Sequence, residues 1–211
     1  MAFTNSLFDG GRAAFMTGGI NMSSDTIKAM LVDVDDICKT VTNATNATPI
    51  VITATSHGLT TGDAVVIGGV TGNTAANGRF RVTVTDANTF SLQGFATGAN
   101  VAGNGAYVSG GQMIDLSNNV TLADITAGAR IATSTLGSKT TTFGVFDAAD
   151  VTFTSVTGDT SEALIIYKDT GTENTSKLIL FVGTATGLPV TPSGGDVDVV
   201  WSSGQDRIFR L

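Results

Sequence analysis

The chain has 211 residues, of which 42% are hydrophobic and only 14% charged, with 26 glycines and a formal net charge of −7. That length holds one large or two small domains. Eleven Lys and Arg against 18 Asp and Glu argue against non-specific DNA or RNA binding, which needs cations to neutralise phosphates, while leaving room for a partner with a basic surface.

Cys38 is the only cysteine, so no intrachain disulfide can form. No apolar run is long enough for a membrane-spanning helix, which takes about 18 residues or more. The N-terminus lacks a basic region followed by an apolar stretch, which predicts folding in a cytoplasm. The Asn-x-Ser/Thr sequons at Asn21, Asn43, Asn46, Asn119 and Asn174 are then ordinary Thr-rich β sequence rather than glycan acceptors.

Leu7, Phe8, Gly11, Ala14 and Phe15 fall near one face at helical spacing, which predicts a helix over 6–17. Ser6 is the expected cap, and Gly18-Gly19 the stop. The helix is expected to pack on a sheet; a partner-binding N-terminal arm is the sharper alternative. Ile20-Asn21-Met22 reads as a short strand. Thr26 to Val32 is apolar on both faces and is expected to be a central strand. It runs into Asp33-Val34-Asp35-Asp36, where clustered carboxylates suggest calcium. The glycine and distal glutamate of an EF-hand loop are missing, so a solvated strand end is expected. Thr40 to Thr48 reads as a linker.

Residues 43–112 read as a β module set into the middle of another domain. Pro49 to Thr53 and Ala64 to Ile67 are short β-branched or apolar runs. Arg79 to Thr85 alternates, with Phe80, Val82 and Val84 on one face and Arg79, Arg81 and Thr83 on the other. Gly, Asn and Asp punctuate these runs as hairpin turns. Val101 and Ala106-Tyr107-Val108 offer a possible last strand. The insertion requires its two ends to lie close together, which a closed barrel permits. Replacing Thr45–Gln112 by a short linker is expected to leave a folded outer domain.

The outer domain, 1–42 and 113–211, resumes with a polar loop over 115–124 and a strand after Ile125. Lys139 to Thr142 is expected to continue it, followed by a turn over 144–150. Val151 to Val156 alternates. Glu162 to Asp169 and Lys177 to Val182 are buried-type strands joined by the loop 170–176. Asp196 to Trp201 and Ile208 to Leu211 complete the set. Phe153, Ile165, Phe181 and Trp201 are expected in one outer core, and Phe80, Val82 and Phe90 in the core of the module. The fold class is therefore mainly β: a β-sandwich-like outer domain with one N-terminal helix and an inserted small β-barrel.

Little chemistry is legible. His57, the only histidine, sits in a Gly-bounded turn that its imidazole is expected to cap. Cys38 and His57 are too few for a structural zinc site, and Cys38 reads as a small buried residue. Nothing seats one carboxylate beside another in an apolar pocket as glycoside hydrolysis needs, and no glycine cluster is followed by Lys-Ser/Thr as in a phosphate-binding loop. No catalytic, cofactor-binding or metal residue is assigned.

Two resemblances follow from the residues. His57-Gly58-Leu59, Gly62-Asp63-Ala64-Val65, Asn77-Gly78 and Asp86-Ala87-Asn88-Thr89-Phe90 resemble a small barrel module related to the first catalytic cysteine half-domain of ubiquitin-activating enzymes. That module occurs inside phage virion proteins. It covers about a third of this chain and implies no ubiquitin chemistry, because no partner half-domain or adenylating motif is present. Arg12 to Phe15, Gly128 to Ala132, Gly144 to Phe153, Ile166 to Thr172 and Gly187 to Asp196 are similar to small structural proteins of tailed bacteriophages. Such proteins usually lack the middle module.

The resemblance implies a non-enzymatic structural component of a tailed-phage particle, made in the bacterial host cytoplasm and resident in the virion. Its partners would be phage capsid or tail proteins and copies of itself, with a trimer favoured. The leading expectation is a capsid decoration or cement protein whose barrel projects outward. The competing placement is a neck, tail or fibre-associated subunit. A different class is a carbohydrate-binding adhesion module, which would need Trp201, Tyr107 or Tyr167 exposed as a platform for a host-surface glycan. No nucleic-acid or membrane partner is expected.

Overall fold

The computed structural model describes residues 3–105 and 110–211. The fold is mainly β with one helix. β1 (Ser6–Leu7), α1 (Asp9–Met16) and β2 (Ile27–Val32) open the chain. The helix starts later than its periodicity suggests, because Ser6 and Leu7 pair in strand register with Phe181 and Leu180 instead of capping. Its glycines have a packing reason. A Cβ on Gly11 would lie 2.7 Å from the Leu178 carbonyl oxygen and 2.9 Å from the Ile179 Cα, so only glycine lets the helix lie directly on the neighbouring strand. The helix stops as expected: Gly18 has φ +71°, and the Gly19 amide donates back to the Ala14 carbonyl at 2.7 Å. Ile20-Asn21-Met22 forms a turn rather than a strand. The Asn21 side chain accepts from the Ser23 and Ser24 amides, and such local bonds compete with pairing.

A seven-stranded sheet follows: β3 (Lys39–Val41), β4 (Asn43–Ala44), β5 (Val51–Thr53), β6 (Ala64–Gly68), β7 (Gly78–Val84), β8 (Thr89–Gly94) and β9 (Gly111–Asp115). Its order is β3-β9-β6-β7-β8-β5-β4. The two end strands are separated in the chain by Thr42 alone, so the sheet wraps into a nearly closed barrel. Thr40 to Thr48, which reads as a linker, therefore supplies two barrel strands. Their inward residues, Val41 and Ala44, are fully buried, but Thr and Asn around them mask the alternation. The two ends of this segment meet: Lys39 pairs with Met113 and Val41 with Gly111. The strand Gly111–Asp115 carries barrel pairing past residue 112, where the sequence suggests that the outer domain resumes. Ala106-Tyr107-Val108 lies outside the described residues.

The remaining strands are β10 (Arg130–Thr135), β11 (Thr140–Thr142), β12 (Val145–Asp147), β13 (Val151–Phe153), β14 (Ala163–Lys168), β15 (Leu178–Val182), β16 (Val197–Val199) and β17 (Phe209–Arg210). The stretch 144–150 is thus a strand as well as a turn, because Phe146 is drawn into the core. The central sheet is antiparallel in order β1-β15-β14-β2-β10. β2 is internal, as its two-faced apolarity implies.

Period-two alternation divides that sheet between two cores. Ile27, Ala29, Leu31, Leu164 and Ile166 face a first cluster, closed by Phe146, Phe153, Val199 and Phe209 from the small sheets β11-β12-β17 and β13-β16. Met30, Val32, Ile165, Tyr167 and Phe181 face a second cluster. Phe153 is therefore in a different core from Ile165 and Phe181, and Trp201 is only half-buried against the first. The single outer core expected from sequence is two, because the sheet is covered on both sides.

The barrel supplies the cover of the second face. In β6, Val65 and Ile67 point into the barrel with Phe80, Val82 and Phe90, whereas Ala64 and Val66 point out into the second cluster with Ile114 and Leu116. The barrel lies against the central sheet and shares a core with it, instead of standing off as a projecting unit.

Candidate interaction surface

The first-cluster side of the molecule ends in the three-stranded sheet β11-β12-β17. Phe146 and Phe209 pack inward with ring centroids 5.5 Å apart, and Phe15 of the helix joins Phe209 at 6.1 Å. The outer edge of this sheet is β11, three exposed threonines without a charge or proline to block a further strand. The hairpin between β11 and β12 turns through Phe143 at φ +55° and Gly144 at φ +76°. A non-glycine residue in that conformation costs of order 1–3 kcal/mol.

Phe143 is nonetheless 96% exposed, so packing among the described residues does not offset that cost. The Leu211 amide donates to the Gly144 carbonyl at 3.0 Å, which sets Leu211, 64% exposed, against the same tip. Val200, 73% exposed, borders a crevice of about 620 Å³ lined also by Trp201, Arg207 and Ile208. A second hollow of about 430 Å³ lies between Phe143, Val145, Arg207 and Arg210. Arg207 lines both, so the surface is continuous. Around it the charges are mutually paired, Arg207 with Asp147 at 3.6 Å and Arg210 with Asp206 at 3.2 Å. Exposed apolar residues thus lie beside two ion pairs.

The residues singled out in the sequence do not assemble into this surface. His57 is buried in the barrel, beside the turn at Asp86. Its Nδ1 accepts from the Leu59 amide at 3.0 Å and its Nε2 donates to the Asp86 carbonyl at 2.9 Å. It stands edge-on to Phe90 and pins the turn, as its setting suggests. Asp33 and Glu162 come together at the end of β2, where Glu162 accepts from the Val34 amide at 3.0 Å. Burial pushes the carboxyls of Asp33 and Glu162 above their usual range, and neighbouring carboxylates add to it. Burial first, then Asp35, Glu162 and Asp33, push the Cys38 thiol far up, so it stays protonated and is a poor nucleophile. Among the described residues no group of three or more His, Cys, Asp or Glu is placed to hold a metal ion, and no helix is long and apolar enough to cross a membrane.

Tyr167 is 3% exposed in the second core and offers no platform, and Tyr107 lies outside the described residues. Trp201 borders the larger crevice, held by its Nε1 donating to the Ala149 carbonyl at 3.0 Å. Phe143 went unread in the sequence. The only trace of it is an aromatic residue between a threonine run and Gly144. No protein-family model matches the chain, and no curated protein matches it.

Proposed function

We propose that the chain is a non-enzymatic structural component of a tailed-phage particle, a capsid decoration or cement protein that docks through the Phe143–Val200–Leu211 end. The observation that carries this reading is the collection of exposed apolar residues at one end, including an aromatic held in a costly backbone conformation that the described residues leave uncovered. A surface of that kind is stable when another protein covers it. The barrel sits on the opposite face of the central sheet, so docking by this end leaves it facing outward. Repeated identical sites on a particle would compensate for modest single-site affinity, and a closed cyclic assembly, with a trimer favoured, would bring several docking ends to one place. A neck, tail or fibre-associated subunit is the alternative placement. Quantitative mass spectrometry of the purified particle tests the proposal. Copies in proportion to the capsid lattice support decoration, copies matching tail symmetry move the protein to the neck or tail, and its absence from the particle overturns the reading.

One observation favours a carbohydrate-binding adhesion module as a second reading: Trp201 lines a crevice with Asn5, Ser202 and Ser203, a mixture of ring face and hydroxyls suited to a sugar. Glycan-array binding by wild type that is lost in Trp201→Ala supports it, and no binding removes it.

A further inference from the structure

Three of the six arginines meet at the seam between helix, barrel and sheet. Arg79 and Arg81 project from the outer face of β7 and Arg12 from α1. Their guanidinium carbons lie 3.4, 4.6 and 5.5 Å from the centroid of one ring, Phe95. A single carboxylate answers them: Asp9 accepts from Arg81 at 2.8 Å, lies 3.6 Å from Arg79, and also accepts from the Ser117 hydroxyl at 2.8 Å. The remaining arginines each have an acid of their own, Arg130 with Glu173, Arg207 with Asp147 and Arg210 with Asp206. The seam thus carries two positive charges in excess, in a chain whose net charge is −7. Donors are left over too. Among the described residues, the Nε atoms of Arg12 and Arg79 are buried without an acceptor. Burial, followed by the charge of Arg12, pulls the Arg79 guanidinium down to about 10, with Asp9 only partly opposing them. The side chain of Arg79 is 15% exposed and that of Arg81 36%, so the cluster is sheltered without being sealed from solvent.

We propose that this seam is a binding site for a small dianionic oxyanion of the phosphate class, held by Arg12, Arg79 and Arg81 over Phe95. Guanidinium forks match oxyanions in geometry as well as charge. A tetrahedral dianion presents acceptors in enough directions for three forks and cancels the excess of two, whereas the Asp9 carboxylate reaches Arg81 and Arg79 with a single negative charge. Because the arginines come from α1 and from the barrel, the anion would tie the two together.

The test is isothermal titration calorimetry of the full chain with inorganic phosphate at constant ionic strength. One saturable site is expected. Arg12→Gln, with folding verified by circular dichroism, should weaken it at least about tenfold, the scale of losing a charge-assisted hydrogen bond. Arg79→Gln should act in the same direction, with folding verified by circular dichroism, and Arg207→Gln should leave affinity unchanged. No saturable heat, or equal weakening by Arg12→Gln and Arg207→Gln, overturns the proposal. Preferential binding of succinate over phosphate assigns the site to carboxylates and overturns the phosphate assignment.

Discussion

Met30 and Ile165 face each other across β2 and β14, and both belong to the buried cluster that holds Ala64 and Val66 of the barrel strand β6. The middle segment and the sheet that flanks it are therefore sides of one core. Replacing Thr45–Gln112 by a short linker would expose Met30, Val32, Ile165 and Phe181 to water, at about 25 cal/mol for each Å² of apolar surface. The loop-closure saving is only about 0.6 kcal/mol per halving of length. The excised chain is expected to lose cooperative folding by circular dichroism and limited proteolysis. Ile165→Ala in the full chain should cost about 2–5 kcal/mol and lower the melting of barrel and sheet together. Separate transitions for the two parts would show that the shared core is energetically minor.

The helix seat makes a sharper stability test. Gly11→Ala forces a methyl against the backbone of Leu178 and Ile179 and should destabilise by about 1–3 kcal/mol in a denaturant titration. Gly10→Ala meets the side chain of Val120 at 2.9 Å, which can move, and should cost less. Equal effects would mean that helix propensity rather than packing governs the site.

The acidic end of β2 gives a pH signature. Glu162 has its folded carboxyl raised, first by burial and then by Asp33 and Asp35, while the Val34 amide opposes this. The folded state thus holds the proton to higher pH than the unfolded state. A destabilising contribution appears as pH rises from the ordinary value of 4.5 through the raised one. Glu162→Gln keeps an acceptor for Val34 and removes the charge. It should match or exceed wild type in melting temperature at pH 7, with any advantage disappearing near pH 4, in parallel melts across that range. A variant less stable at pH 7 than at pH 4, relative to wild type, would reverse the sign.

Strands whose side chains alternate between a core and water were legible in the sequence. Phe80 and Val82 against Arg79 and Arg81 is the clearest case, and Val151 and Phe153 against Thr152 another. The uniformly apolar runs of β2, β14 and β15 revealed burial on both faces, but not what lay on each face, because that depends on where the barrel docks. β3 and β4 were hidden by Thr and Asn, which serve strand and turn alike. Ser6 looked like a cap until pairing with Phe181 outweighed it. Arg79 and Arg81 were placed on one face, yet their meeting with Arg12 and Phe95 joins residues remote in the chain, which periodicity cannot show. Phe143 was missed for a similar reason: exposure of a single aromatic depends on the fold around it.

The docking proposal is tested most directly by cosedimentation of the purified full chain with particles from which it has been removed. Wild-type protein should bind saturably. Phe143→Asp, at an exposed hairpin tip where the fold loses no packing, should bind at least about tenfold more weakly, as expected when an interface anchor worth 2 kcal/mol or more is removed, while melting at the wild-type temperature. Equal binding by Phe143→Asp and wild type, or no binding by either, would contradict the account.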